Sequence, residues 1–341
     1  MSNSSVPAGL KRRLFPKGIR RKLSNYRSRL LKRTNEKTFT ELIAGLQIES
    51  GSVVCVHSML SAFGYLPGGP QSVIRAIQRA VPRCTIMMPT FPFSGTALAY
   101  IQSGIMYDPT TTGSQSGLLT DTFWKLPGVR RSLHPTHPCA ALGPLADELI
   151  DRSEHCSTPF GDDSTYGRFS KMSNAVILCL HTNGTSMVHR FQEIVGMPNL
   201  FMPGSYLAKG YNDKRETVSY SVRIHTPNLP LYAALPGESS EDYEYVWLPD
   251  FSFLFPSQRK LNLLATLKSP RAKEILLRRQ QEFVDKGQIR SATFRAAEIA
   301  AVVVAPWQER LCADLTESIR AYPGAYQYDT LSKAHADGRL Y

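Results

Sequence analysis

Residues 52–89 read SVVCVHSMLSAFGYLPGGPQSVIRAIQRAVPRCTIMMP. The run 52–57 is unbroken and apolar until its polar end, the pattern of a strand buried on both faces. A loop over 58–69 follows, then helical spacing over 71–80 and a second apolar run at 85–89. Strand, Gly-bearing loop, helix and strand predict a βαβ unit and a parallel sheet that receives ligands at the carboxyl ends of its strands. Ser58 sits at such an end.

Outward from this unit, residues 38–46 predict a short helix and 91–119 a long loop-rich connection, of a length that usually covers a site. Residues 120–144, TDTFWKLPGVRRSLHPTHPCAALGP, crowd two arginines and two histidines into a turn. Pro135 and Pro138 lack amide hydrogens and push their predecessors into extended backbone, so the turn is rigid and fixes His134 and His137. Arg130 and Arg131 offer cationic forks for a phosphate or carboxylate. A short helix near 144–153 and a turn at 159–163 lead to AVILCL, a buried strand at 175–180, and a polar turn at 181–185. Residues 186–196 then read as a helix that places His189 and Glu193 four residues apart on one face. Opening directly after a strand's carboxyl end, that helix would point its first turn at the crevice beside Ser58.

Further on, 206–224 predict a hairpin around Asn212 and Asp213. Residues 226–260 read as irregular and aromatic, with acids at Glu238, Glu241, Asp242 and Glu244. A helix at 270–286, a strand at 288–294 and a helix through 308–319 complete the body, and the final twenty residues read as a poorly anchored tail. The expected organisation is a basic arm with an amphipathic helix over 1–37, a catalytic domain over 38–320 and a tail over 321–341.

The net charge of +12 invites a nucleic-acid reading until it is located. Residues 1–40 hold twelve of the 40 Lys and Arg against the single acid Glu36, so the body is nearly neutral. In the arm, Ile19, Leu23, Tyr26 and Leu30 recur at helical spacing among cations, as in a helix lying on an anionic membrane surface. Packing of that stripe on the body or a partner stands level with this. Nucleic acid ranks below both, because no aromatic platform accompanies the charge. No run of about 18 apolar residues exists to span a bilayer, and a secretory apolar core is missing. The six cysteines are scattered without a CxxC pair, which fits a reducing cytoplasm. Peripheral contact through residues 10–33 and a homodimer are both compatible with the chain.

The sharpest chemical signal is His189 with Glu193, since an imidazole oriented by a carboxylate suits proton transfer near neutrality. On spacing alone a solvated helix-face pair accounts for it; placement after the 175–185 strand and turn tips the reading to function. His134 and His137, with Asp121 or His181, could ligate zinc, but no spacing matches a known zinc pattern, so no metal is expected. Neither glycine cluster forms a dinucleotide or P-loop pattern, and no cysteine sits with a base in a site segment.

Taken together, VCVHSMLSAFGYLPGGPQSVIRAI, CTIMMPTF, GLLTDTFWKLPGVRRSLHPTHPCAALGP, STPFGDDSTYGRFSKMSNAVILCL, TSMVHRFQE and FVDKGQIRSATFRAAEIAAVVVAPWQERL resemble, in order and spacing, the aminoglycoside N3-acetyltransferase family over roughly residues 38–320. The resemblance implies an α/β fold of three α/β/α layers around a mixed, largely parallel sheet. It implies acetyl-CoA as co-substrate and direct acetyl transfer to a small-molecule amine. The family's general base falls on His189 and its following acid on Glu193. Its CoA walls fall on His57, Ser58, Met59, Leu60 and Phe63 and on Asp121, Thr122, Phe123, Ser132 and His134. On chemical grounds Arg130 and Arg131 are candidates for the phosphates, and the Ser58 hydroxyl and the 58–60 amides for the oxyanion. Thr90, His137 and Asn183 are the expected acceptor-binding positions. Two departures stand out: CLHTNGTSM at 179–187 has Asn183 where the family has an acid and Thr185 where it has an Asn, and 217–228, TVSYSVRIHTPN, lacks its carboxylates. They favour an amino sugar or sugar nucleotide of surface-polysaccharide assembly over a polycationic antibiotic. The alternatives are a true aminoglycoside-modifying enzyme with acids from 238–250, a non-catalytic membrane-associated relative, and a zinc-dependent deacylase.

Overall fold

The computed structural model describes residues 33–156, 158–182, 185–226, 232–239, 242–247, 267–295, 297–330 and 333. The helix expected in the basic arm and the position Asn183 lie outside the described residues.

The βαβ unit forms as its pattern requires. Strand β1 (Val53–Ser58) and β2 (Thr85–Pro89) pair in parallel, Val53 opposite Thr85, and are joined through α2 (Gly69–Ala80), while α1 (Glu36–Ala44) precedes them. Helix α2 starts after Gly68, whose left-handed φ of 86° suits a residue without Cβ, and carries Pro in its first turn. It buries Val73, Ile74 and Ile77 against the sheet, each adding roughly 1.5–3 kcal/mol.

The long connection contains α3 (Ala97–Gln102) and α4 (Leu118–Phe123), and it leads to β3 (Arg130–Arg131) and β4 (Cys139–Leu142). Helices α5 (Ala146–Ile150) and α6 (Thr165–Lys171) come next, then β5 (Ala175–Leu180) and α7 (Met187–Ile194). A hairpin of β6 (Tyr206–Tyr211) and β7 (Thr217–Val222) forms as expected. A second hairpin, β8 (Tyr232–Pro236) with β9 (Tyr243–Trp247), corrects the irregular reading of 226–260. Helix α8 (Pro270–Asp285), strands β10 (Ile289–Phe294) and β11 (Ala297–Val303) and helix α9 (Val304–Ala321) end the body. Immediately beyond, Ala325 and Tyr326 are buried, and the Tyr326 hydroxyl donates to Ser318 Oγ, so this stretch is anchored rather than free.

The seven-stranded sheet has the order β10-β11-β5-β1-β2-β4-β3. Its centre, β5-β1-β2, is parallel, and β11 and β4 run against it on either side. With β10 and β3 antiparallel to those two, five of the seven strands point one way. The sheet is therefore mixed and largely parallel, as expected.

Alternation along the strands sends Val54, Val56, Ile86, Met88 and Leu178 to a core beneath α1, α2 and α4. Val53, Cys55, Met87, Ile177 and Cys179 enter the opposite core with α6, α7, α8 and α9. These are the three layers. After β1 the chain crosses to β2 on one side, while β5 lies on the other, so the strand order turns at β1. The crevice at the carboxyl ends of β1 and β5 is where such sheets bind ligands. Among the described residues no helix is long and apolar enough to cross a membrane.

Candidate active site

Two cavities open at these strand ends. A groove of about 460 Å³ is lined by Ser58, Met59, Leu60, Gly64, Leu66, Gly69, Leu118 and their neighbours, with the amino end of α2 opening onto it. Met59 is 49% and Leu118 67% exposed, so the groove presents bare hydrocarbon to solvent. A second cleft of about 240 Å³ is lined by His57, Ser58, Pro89, Phe91, Thr182 and Ser186. Ser58 belongs to both. The expected wall of Ser58, Met59 and Leu60 is thus brought to a groove, but the Met59 amide donates to the Leu180 carbonyl at 2.8 Å and is unavailable to an oxyanion.

His57 closes the crevice between β1 and α7. The Thr185 hydroxyl accepts from the Met187 amide at 3.3 Å and lies 2.9 Å from His57 Nε2. Burial lowers the His57 pKa to about 4, which keeps the ring neutral.

His189 stands in the first turn of α7, half-buried, with its ring stacked on Phe160 at 4.9 Å between centroids. Its Nδ1 lies 3.2 Å from Gln192 Oε1 and 3.1 Å from Nδ1 of His225. Among the described residues Nε2 has no hydrogen-bond partner. Glu193 was expected to orient His189 directly, and this is corrected. Four residues on, its carboxylate instead faces His225 Nε2 at 2.8 Å and also accepts from the Phe160 amide at 3.1 Å and from the Thr158 hydroxyl. Burial first, and then the neighbouring His225, push the His189 pKa down to about 3.

The loop carrying Thr158 and Phe160 is held by Arg190. This almost fully buried guanidinium donates to the Phe160 carbonyl at 3.1 Å and pairs with Asp162. His137 stands on the far side of Phe160, at 5.3 Å, among Phe91 and Phe93. Since Phe91 also lines the smaller cleft, His137, Phe160, His189 and His225 form a wall of rings continuous with it. Phe201 backs His225 at 5.0 Å, and the Arg223 guanidinium lies 4.0 Å over Phe201.

Several expected ligand contacts turn out to be scaffold. Arg131 gives its donors to the Thr90 hydroxyl and carbonyl and to the carbonyls of Pro109 and Thr112, and it is stacked over Trp124 at 4.4 Å. It therefore has no fork to offer a phosphate. Arg130 is exposed and pairs with Asp147. Thr90, fully buried, donates to the Pro138 carbonyl, which removes it from acceptor binding. Nδ1 of His134 accepts from the amides of Thr136 and His137 and so locks the His-Pro-Thr-His-Pro turn from inside. Ser132 Oγ likewise accepts from the Cys139 amide.

Phe63 and Phe123 are core residues, Thr122 is half-buried, and Asp121 is taken by the Ser114 amide, Trp124 Nε1 and Lys125. Among the described residues no three His, Cys, Asp or Glu side chains are grouped so that they could hold a metal ion. Sequence reasoning missed His225, Thr158, Phe160 and Gln192. His225 lay inside the quoted 217–228 stretch, but only tertiary contact reveals it.

The molecule belongs to the class of three-layer α/β proteins with a crevice at the carboxyl ends of its parallel strands, and the comparisons narrow it. The Aminoglycoside 3-N-acetyltransferase family matches residues 55–305. The chain belongs to that family. Aminoglycoside N(3)-acetyltransferase III of Salmonella sp is 28% identical over 177 residues, 48% of this chain and 62% of the relative. Aminoglycoside N(3)-acetyltransferase IX of Micromonospora chalcea is 32% identical over 151 residues, 40% of this chain and 53% of the relative. The chain thus spans less than two thirds of these curated relatives. In fold it is similar to the crystal structure of aminoglycoside acetyltransferase AAC(3)-Xa, with TM-score 0.58 and 21% identity over 89% of this chain and 99% of that one. It is also similar to AAC-IIIb in binary complex with CoASH, with TM-score 0.58 and 16% identity over 84% and 97%.

Proposed function

We propose that the chain is an acetyl-CoA-dependent N-acetyltransferase that acetylates an amine of an aminoglycoside-type acceptor. The observation that carries the reading is His189, whose Nδ1 is held from behind while Nε2 has no protein partner, in a wall of rings continuous with the strand-end cleft. The larger groove fits the pantetheine arm through Met59 and Leu118, and the amino end of α2 supplies a partial positive charge for a phosphate.

Acetyl-CoA, when bound, supplies the thioester whose C–S bond breaks as the amine nitrogen forms the new C–N bond. His189 Nε2 takes the proton that the nitrogen sheds and returns it to the departing sulfur, so the products are the acetamide and the free thiol. The Ser58 hydroxyl would donate to the carbonyl oxygen, a role supported by its lining both cavities. His189→Ala is expected to lower kcat by about 10²–10⁴-fold with CoA affinity retained, read from thiol release and calorimetry. Unchanged turnover would remove the reading.

A second acceptor class, an amino sugar or sugar nucleotide bearing an anionic group, is supported by Arg223. This cation lies over Phe201 beside His225, where a polycation would be repelled. Acetyl transfer to a panel of aminoglycosides and of amino-sugar nucleotides separates the two. For the basic arm, binding of the full chain to anionic vesicles that disappears at high salt would support peripheral membrane contact.

A further inference from the structure

The contacts around His189 admit few proton arrangements. The Nδ1 atoms of His189 and His225 face each other at 3.1 Å, so one of them carries the hydrogen. His225 Nε2 faces Glu193 Oε1 at 2.8 Å, and this carboxylate also accepts from the Phe160 amide and the Thr158 hydroxyl. Two donors, the Phe160 amide and the Thr158 hydroxyl, favour the ionised carboxylate, which can only accept, so Nε2 of His225 carries a hydrogen and points it at Glu193. If His225 also held a hydrogen on Nδ1 it would be an imidazolium, and Nδ1 of His189 would be a bare acceptor facing the oxygen of Gln192. Turning the Gln192 amide over does not relieve this, because its nitrogen now donates to Met197 Sδ at 3.1 Å and an oxygen there would meet sulfur lone pairs. The remaining arrangement satisfies every contact with both rings neutral. His225 Nε2–H donates to Glu193, and His189 Nδ1–H is shared between His225 Nδ1 and Gln192 Oε1. Nε2 of His189 is left unprotonated.

From this we infer that His225 is a positioning residue that relays the Glu193 carboxylate to His189, so that the acid acts through a second imidazole and not by direct contact. The inference rests on the acyl-transfer reading above. Chemically, His189 buried in this wall would hold an extra proton too weakly for transfer near neutrality. When Nε2 takes the substrate's proton, Nδ1–H of the new imidazolium is shared with His225, whose own Nε2–H leans on Glu193, and the positive charge is drawn toward a carboxylate one ring away. No bond other than the one to Nε2 need form or break. The other titratable groups facing the pair are His137, across Phe160, and Cys156, which lies near Glu193. The packing agrees with a fixed relay: His225 is held between Phe160 and Phe201, and Glu193 is anchored by the loop that Arg190 braces.

The test uses the full chain with imidazole ¹⁵N resonances, His189 being assigned by the signal lost in H189Q. At neutral pH the wild type is expected to show His189 protonated at Nδ1 and bare at Nε2. H225F keeps the ring packing but offers no nitrogen. Gln192 Oε1 remains to accept Nδ1–H, so the tautomer is expected to be kept while kcat falls by about 10²-fold, with the KM values within about threefold. H225Q offers an amide oxygen toward His189 and an amide nitrogen toward Glu193, so it is expected to restore at least a tenth of the wild-type kcat. Protonation of His189 at Nε2 in the wild type, or full activity in H225F, would overturn the relay. If H225F fails to fold, the wild-type spectrum and H225Q still decide. Failure of the wild type to acetylate any amine would sink the acyl-transfer reading, while the tautomer would be judged by the spectrum alone.

Discussion

Arg131 shows how a residue's neighbours overrule its chemistry. Its guanidinium is placed where a phosphate fork was expected, yet hydroxyl and carbonyl oxygens from three loop positions take its hydrogens and Trp124 takes its face. Lysine cannot reproduce a planar fork or the stack. R131K is therefore expected to lose about 1–3 kcal/mol of stability in urea unfolding while CoA affinity by calorimetry changes less than about threefold. A large loss of CoA affinity at unchanged stability would restore the phosphate role. The sequence could reveal His189 because strand, turn and helix set it at a crevice. It could not reveal His225, which follows β7 on an unremarkable stretch and meets His189 only after the hairpin folds back.

Elements, too, divide by how local their causes are. The βαβ unit was legible because periodicity, glycine and proline all lie within 38 residues. Strand β11 was not, since AEIAAVV runs unbroken into the apolar start of α9 and no breaker separates them. The β8-β9 hairpin was obscured by its aromatic, irregular composition. Helix α6 was also missed, though it braces the site: a Cβ on Gly167 would strike the carbonyl oxygen of Asp162 at 2.6 Å and that of Gly161. Since those carbonyls belong to the loop carrying Thr158 and Phe160, G167A must push the loop away from Glu193. The expected outcome is a loss of about 1–3 kcal/mol in thermal or urea unfolding, together with a fall in kcat larger than in KM. A variant with wild-type kcat would show that the loop is not needed.

Across the whole molecule, the buried imidazoles set the acid limit. His134 is 3% exposed and burial holds its pKa near 4, with His57 shifted the same way, against about 6.5 in the unfolded chain. Below pH 6.5 the unfolded state binds more protons, so stability is fully present above that pH and drains away as pH falls toward 4. His134 alone is worth up to roughly 3 kcal/mol over this window. Urea midpoints measured from pH 7 to 4.5 should fall steeply, and H134N should flatten the curve. The layered architecture and the loop at the end of β1 were readable because they follow from repeated local patterns; the polar interior was not, because it depends on which turn meets which.

Ser58 borders both the long groove and the smaller cleft, so donor and acceptor would enter by separate doors and meet at one hydroxyl. A conjugate that joins a pantetheine sulfur to an acceptor amine through a short linker would therefore occupy both rooms at once. Tethering raises the effective concentration of its second half, and such a molecule should bind far more tightly than either part alone.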